Sequence, residues 1–413
     1  MKAEIVAVGT EILLGDIVNT NAQYLSKELA SIGIEVFRQE VVGDNKVRLL
    51  EVFDEAFKRS DIVITTGGLG PTQDDLTKET ACEFFGYQLV RHEESYNYLV
   101  TRYKKINREL TSNNLKQVDF PKEAIVLPNP NGTAPGAILE KNNKFIIVLP
   151  GPPKEMKPMF ENHVKEFLSK KGDGIIVSKV LRVLGIGEST AALKLKDIID
   201  NGVNPTVAPY AKDEDVIFRV TAKGNNKEEA FKLIEPVKEN IKSTLGEDYY
   251  GEGEENNIQS VLCKLLIDKN LTISTAESCT GGMIASKLVS YPGVSKVFLE
   301  GSVTYSNEAK IRTLNVKKET LDNYGAVSKE TAYEMAMGIA KRTGSDVAIV
   351  TTGIAGPGGG TEEKPVGLVY IGLYYKGNIE VYKEVFAMDR QSIRNKASIT
   401  ALDKVRRKII SLG

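Results

Sequence analysis

Asp61-Ile62-Val63-Ile64-Thr65-Thr66-Gly67-Gly68-Leu69-Gly70-Pro71-Thr72 passes from a short apolar run rich in β-branched residues directly into a Thr/Gly/Pro loop. That is how a buried strand of a parallel sheet delivers a backbone loop to a site at its carboxyl end. Far down the chain, Asp346-Val347-Ala348-Ile349-Val350 runs the same way into Thr351-Thr352-Gly353-Ile354-Ala355-Gly356-Pro357-Gly358-Gly359-Gly360. Glycine lets main-chain N–H groups approach an anion closely. Two phosphate-handling sites, and hence two catalytic domains, are expected. The loops resemble each other only locally and are not an internal repeat.

Around the first loop, strands and helices alternate. Strand Glu4–Val8 precedes a helix with Leu25, Leu29 and Ile32 on one face, closed by Gly33. Strand Ile34–Glu40, a helix with Leu50, Phe53 and Phe57 on one face, strand Asp61–Thr65 and a helix from about Asp74 to Phe85 follow. Later, Phe145-Ile146-Ile147-Val148-Leu149 ends in Pro150-Gly151-Pro152-Pro153, which starts another helix. This βαβ series predicts an α/β fold with a doubly wound sheet. Lys170–Gly174 reads as a linker to a small α+β module with strand Val177–Leu184, a helix around Thr190–Ile199, strand Val216–Thr221 and helix Lys227–Leu245. That module carries no chemical constellation. Gly246–Asn257 reads as a second linker, and an αβ domain with the second glycine loop runs from Ile258 onward. The expected domains are 1–169, 175–250 and 256–413.

A chain of 413 residues is too long for one ordinary core. Net charge is −1, so no global basic field holds nucleic acid or an anionic membrane. No apolar run approaches the roughly 18 residues of a membrane span. The N-terminus reads as a first strand, too short and too acidic for a signal peptide. Cys82, Cys263 and Cys279 are scattered, against a disulfide frame or a zinc site, and the cytoplasm is the expected location. Only two histidines occur, His92 and His163. A Ser-His-Asp triad is therefore improbable, and lysine is the obvious activator of any nucleophile.

The sharpest motif is Ala276-Glu277-Ser278-Cys279-Thr280-Gly281-Gly282, which follows a strand and opens a helix. A simple N-cap would account for Ser278 but not for the glycines, which cost roughly 1 kcal/mol each in a first helical turn. They would let a ligand sit against helix-start amides, where the dipole favours anions. On the polar loop Thr304–Lys310, Lys310 could act as base if burial lowers its pKa, with Tyr305 assisting proton transfer. Thr351–Gly360, including Thr352 and Gly353, supplies hydroxyls and amides, and Arg390 and Arg394 open the last helix. In the first domain, Gly9-Thr10-Glu11 and Asn19-Thr20-Asn21 gather polar groups at the end of the first strand, although Thr20 or Asn21 could simply cap the helix that follows. Thr72-Gln73-Asp74-Asp75 has capping-box spacing. Asp44 and Asp75, on neighbouring strand ends, could hold a divalent metal over a pyrophosphate.

Ala276–Gly282, Thr304–Lys310 and Thr351–Gly360 together resemble the nicotinamide-nucleotide amidase domain of the competence/damage-inducible CinA proteins. The resemblance implies hydrolysis of nicotinamide mononucleotide to nicotinate mononucleotide and ammonia, without a metal. It implies Ser278 as nucleophile, Lys310 as its base, Tyr305 as acid/base helper, and Thr352 with Arg390 or Arg394 as substrate binders. The first domain resembles the molybdopterin-binding fold family and, in its full order, the N-terminal CinA domain. The segments that carry this are Gly9–Glu11, Asn19–Asn21, Thr66–Asp75 with Gly67, Gly68, Gly70, Thr72 and Asp74, Asn131–Gly136 with Gly132 and Thr133, and Leu149–Pro153 with Gly151 and Pro152. That match implies a metal-dependent ADP-ribose pyrophosphatase giving AMP and ribose 5-phosphate. The alternatives are a domain that binds nucleotide or molybdopterin without hydrolysing it, and a DNA-uptake or scaffold protein. A homodimer is expected by analogy.

Overall fold

The computed structural model describes every residue except Ile106, Gly172, Asp173 and Gly413. Two residues of the first expected linker, Gly172 and Asp173, thus lie outside the described residues. The chain forms two compact units, Met1–Ser178 with Thr221–Ile234, and Lys179–Val220 with Glu235–Gly413.

The first unit is built on a six-stranded sheet in the order Glu35–Val42, Lys2–Val8, Ile62–Thr66, Lys144–Leu149, Gly136–Lys141, Ile125–Leu127. The first four strands are parallel, and the last two pairings are antiparallel. The central strands are apolar on both faces, so successive residues serve opposite cores. Ile62, Ile64 and Ile147 pack with Leu25, Leu29 and Met156. Val63, Ile146 and Val148 pack with Leu49, Phe53 and Phe85. A continuous apolar run, rather than an alternating one, is what a strand covered by helices on both sides requires.

Two expectations in this unit change. The helix expected from Asp74 begins at Thr77, with Leu76 as N-cap and no side-chain cap. The Asp75 carboxylate instead folds back to accept from Thr72 N at 3.0 Å and Thr72 Oγ1 at 2.5 Å, closing a turn ahead of the helix. Asn19, not Thr20 or Asn21, caps the helix Thr20–Ser31 by accepting from Ala22 N.

The small module gains two strands over its sequence reading. Its sheet runs Thr206–Ala211, Val216–Gly224, Ile175–Val183, Tyr249–Glu252. The stretch Gly246–Asn257, expected as a linker, therefore contributes an edge strand, paired antiparallel with Ile175–Val183. The last domain carries a five-stranded sheet in the order Phe298–Val303, Ile273–Glu277, Val347–Gly353, Leu368–Tyr375, Asn378–Val385. The first three are parallel, and the last two pairings are antiparallel. Helix Arg390–Ser411 buries Ile393, Leu402, Val405 and Ile409 against Ile258–Asp268 and one sheet face. Helix Lys329–Thr343 covers the other face with Met335, Ala336 and Ile339. Among the described residues no helix is long and apolar enough to cross a membrane.

Candidate active sites

In the first unit, the strands Glu35–Val42, Lys2–Val8 and Ile62–Thr66 stand in the order second, first, third. Such a reversal of strand order opens a crevice at the carboxyl ends. A cavity of about 580 Å³ lies there, lined by Gly67, Gly68 and Gly70 of the glycine loop, by Asn19 and Asn21, and by Thr133, Gly151 and Pro152. Gly67 has φ +109°, and a Cβ there would lie 2.0 Å from Val8 O, so no other residue fits. Asn21 ties three segments together, its Nδ2 donating to Thr66 Oγ1 at 2.8 Å and Gly151 O at 2.7 Å. Asn21 Oδ1 and Gln117 Oε1 are buried acceptors with no partner among the described residues, and both residues line the cavity.

The cavity's charges are one-sided. Glu11, Asp44, Asp74, Asp75 and Glu155 line it, and no lysine, arginine or histidine is among the described residues that do. Three predicted residues stand behind this wall. Thr10 donates from N and Oγ1 to Asp44 Oδ2, both at 3.0 Å, as Thr72 does to Asp75 Oδ2. Gly132 makes room for Glu155, whose Oε2 would lie 1.9 Å from a Cβ at that position.

In the second unit, Phe298–Val303, Ile273–Glu277 and Val347–Gly353 repeat the order second, first, third. Ser278 leaves the central strand with its amide donating to Thr351 O at 2.9 Å. Lys310 sits on the helix Asn307–Leu314, capped by Ser306, and is 1% exposed. Its Nζ lies 3.2 Å from Ser278 Oγ and donates to Thr304 O and Tyr305 O, each at 3.0 Å. Burial holds its pKa below that of an ordinary lysine. Two carbonyls thus take two protons of the amine, and the remaining position faces the serine hydroxyl. The neighbouring Cys279 thiol is pushed up to about 11 by burial and stays protonated and inert at neutral pH.

The glycines after Ser278 are not in the helix, which starts at Met283 with Gly282 as its left-handed N-cap at φ +92°. Gly281 has φ +61°. They form the turn before the helix, so the helix-interior cost does not arise. Nor is the helix start open to a ligand. Fully buried Glu277 fills it, accepting from Gly282 N at 3.0 Å, Ile284 N at 3.1 Å and Ala285 N at 2.8 Å. Thr280 Oγ1 donates to the same carboxylate at 2.6 Å. The anion that the dipole favours is the chain's own.

The two arginines separate by their partners. Arg394 uses Nε on Cys279 O at 3.1 Å, Nη2 on Thr280 O at 3.0 Å and Nη1 on Gln391 Oε1 at 3.1 Å. Arg390 gives Nη1 to Gly356 O at 2.5 Å. Thr352 Oγ1 donates to Ala326 O at 2.6 Å. Gly353 ends its strand where a Cβ would lie 2.6 Å from Leu368 O. Tyr305 meets Lys310 through its backbone carbonyl, and its side chain is 64% exposed.

Residues 255–409 match the family described as "CinA C-terminal domain", residues 4–170 "Probable molybdopterin binding domain", and residues 178–251 "Damage-inducible protein CinA KH domain". Over 410 residues, 99% of each chain, the sequence is 62% identical to the "Putative competence-damage inducible protein" of Clostridium perfringens. The protein of the same name from Clostridioides difficile is 58% identical over 412 residues, 98% of this chain and 99% of that one. Among solved structures, the competence/damage inducible protein CihA from Agrobacterium tumefaciens is 41% identical over 37% of this chain and 96% of its own, with TM-score 0.35. The chain belongs to the CinA family.

Within this CinA chain, the predicted nucleophile and base are in contact, and the two predicted metal carboxylates line one cavity. Three residues with evident roles escaped the sequence reading. Glu277 holds the turn after the nucleophile, Gln117 presents an acceptor to the first cavity, and Glu155 adds to its charge. Glu277 did leave a signal, an acid at the last position of an otherwise uncharged, buried strand. Gln117 left none, because it reaches the cavity from a short helical turn more than forty positions beyond the glycine loop.

Proposed function

We propose that the C-terminal site deamidates nicotinamide mononucleotide to nicotinate mononucleotide and ammonia. The carrying observation is the buried Lys310 amine beside Ser278 Oγ with its other hydrogens held by carbonyls. In this reading neutral Lys310 takes the serine proton as Oγ bonds to the amide carbon. The amides of Cys279 and Thr280 hold the oxyanion, the first by the logic of the residue after a nucleophile. Collapse expels ammonia, which takes the proton back from Lys310. Water then attacks the acyl-enzyme with Lys310 again as base, and the serine leaves protonated. Arg394 positions the turn, and Arg390 with Thr352 binds the substrate phosphate. Ammonia release from nicotinamide mononucleotide by the purified protein, absent in Ser278→Ala, tests this.

We propose further that the N-terminal cavity hydrolyses ADP-ribose to AMP and ribose 5-phosphate with a divalent cation. A pyrophosphate entering a cavity lined by Glu11, Asp44, Asp74, Asp75 and Glu155 meets only like charge unless a cation comes with it. Asp44 and Asp75 would hold that cation, since hard cations are commonly bound by one or two carboxylates and completed by substrate phosphate. When bound, it supplies neutralisation of the pyrophosphate charge. Asn21 Oδ1 and Gln117 Oε1 accept ribose hydroxyls, and the glycine-loop amides hold phosphate oxygens. A second reading, a binding module without hydrolysis, is favoured by the molybdopterin-binding description of the matching family. Product analysis on ADP-ribose with and without a divalent metal separates the two, because unchanged ADP-ribose in both would leave binding alone.

A further inference from the structure

A second cavity of about 380 Å³ adjoins the acidic one, and Glu155 lines both. Its volume falls within the roughly 300–1,000 Å³ of small-molecule sites. It is more apolar than its neighbour, although Glu94 lines it together with Glu155. Pro128, Pro130, Pro135 and Pro158 give flat apolar walls, with the ring of Tyr98 beside them. Both histidines of the chain, His92 and His163, line it as well.

These groups are held in place. Arg102 Nη1 donates to Tyr98 Oη at 3.0 Å and to Pro130 O at 2.9 Å. His92 Nδ1 accepts from Ser95 N at 3.3 Å and lies 2.8 Å from Ser95 Oγ. Its ring packs edge-on against Phe120 at 6.1 Å. In the neutral ring the proton is therefore at Nε2, a donor. Asn162, also on the wall, offers the amide pair that matches N6 and N7 of adenine.

We propose that this cavity binds the purine base of the ADP-ribose whose pyrophosphate occupies the acidic cavity. The inference rests on the ADP-ribose reading and extends it. Flat proline and aromatic faces suit a stacked base and repel nothing neutral, and no lysine or arginine is among the described residues lining the cavity. One ligand with an apolar planar end and a doubly charged middle matches two cavities of those two characters that share Glu155.

Having only two histidines makes the test direct, since both proton NMR signals report from this cavity. Adenosine titrated into the full-length protein should shift both His Cε1–H signals saturably, and ribose 5-phosphate should shift neither. Tyr98 is 43% exposed, so Tyr98→Ala leaves the fold intact. It should weaken adenosine about tenfold and raise KM for ADP-ribose by a similar factor at unchanged kcat, the size of one lost base–aromatic stack. Asn162→Trp, which fills the cavity, should abolish the adenosine shifts. Unmoved histidine signals, or adenosine binding equal to the parent's in both variants, overturn the base site even if ADP-ribose is hydrolysed. Shifted signals without ADP-ribose hydrolysis uphold the base site and sink the pyrophosphatase reading instead.

Discussion

The two glycine-loop sites share a scaffold and differ in sign. Each lies at the carboxyl ends of three parallel strands in the order second, first, third, where α/β sheets open a crevice. The N-terminal crevice is lined by five carboxylates and no basic side chain among the described residues. The C-terminal one has Lys310 against the nucleophile, two arginines of the last helix bound to its loop carbonyls, and a carboxylate, Glu277, enclosed by the chain's own amides. The fold thus fixes where chemistry happens, and the side chains at the strand ends decide which chemistry. An acid-lined site would need a cation brought from outside to receive a pyrophosphate. A site with a buried amine carries its own base.

That contrast can be broken most sharply with a chelator. Removing divalent cations should abolish ADP-ribose hydrolysis and leave ammonia release from nicotinamide mononucleotide untouched. Equal loss of both activities would mean the sites do not differ as described. Next, Lys310→Met should cut deamidation by about 10²–10⁴-fold, the range for a lost general base. In the parent, only neutral Lys310 accepts the serine proton, so kcat/KM rises with pH through its pKa. Because burial lowers that pKa, the rise should be complete at a lower pH than an ordinary lysine would allow. A profile still climbing where free lysine titrates would exclude it as base.

Glu277→Gln keeps the shape but sets an amide NH2 against backbone donors. We expect about 3 kcal/mol of lost stability, since donors left unpaired in the interior cost about 1–3 kcal/mol each. Chemical denaturation would measure it, and an unchanged midpoint would rule out the capping role. The arginines should split by kinetics. Arg390→Ala should raise KM for nicotinamide mononucleotide about tenfold, as loss of one charge-assisted contact does, with kcat kept. Arg394→Ala should lower kcat by displacing the Cys279–Thr280 turn. The smallest effect is expected from Tyr305→Phe, less than about twofold, because the exposed ring offers its backbone carbonyl and not its hydroxyl to Lys310; a larger loss would restore the hydroxyl to the proton path.

Much of this was legible because the signals are local. An apolar run that breaks into Thr/Gly residues declares both a strand and its functional end, as at Thr66–Gly70, and Ser278 directly follows a strand end. What stayed hidden depends on residues distant in the chain. Tyr249–Glu252 lies in a Gly- and Glu-rich stretch, and its strand character comes from pairing with Ile175–Val183. The turn at Thr72–Asp75 has capping-box spacing, yet Lys116 Nζ donating to Asp75 O at 2.7 Å helps hold it as a separate turn. Arg390 and Arg394 look equivalent on one helix until the carbonyls of Cys279, Thr280 and Gly356 show which loop each one grips.

The central claim is that one chain carries a metal-free serine–lysine amidase and a metal-requiring cavity. Its most direct measurement is ammonia released from nicotinamide mononucleotide by the parent and by Ser278→Ala, both with chelator present. The account predicts full activity in the parent and none in the variant, with ADP-ribose hydrolysis returning in both once a divalent metal is restored. Ammonia release from Ser278→Ala equal to the parent's, or a parent that releases ammonia only with metal, would contradict it.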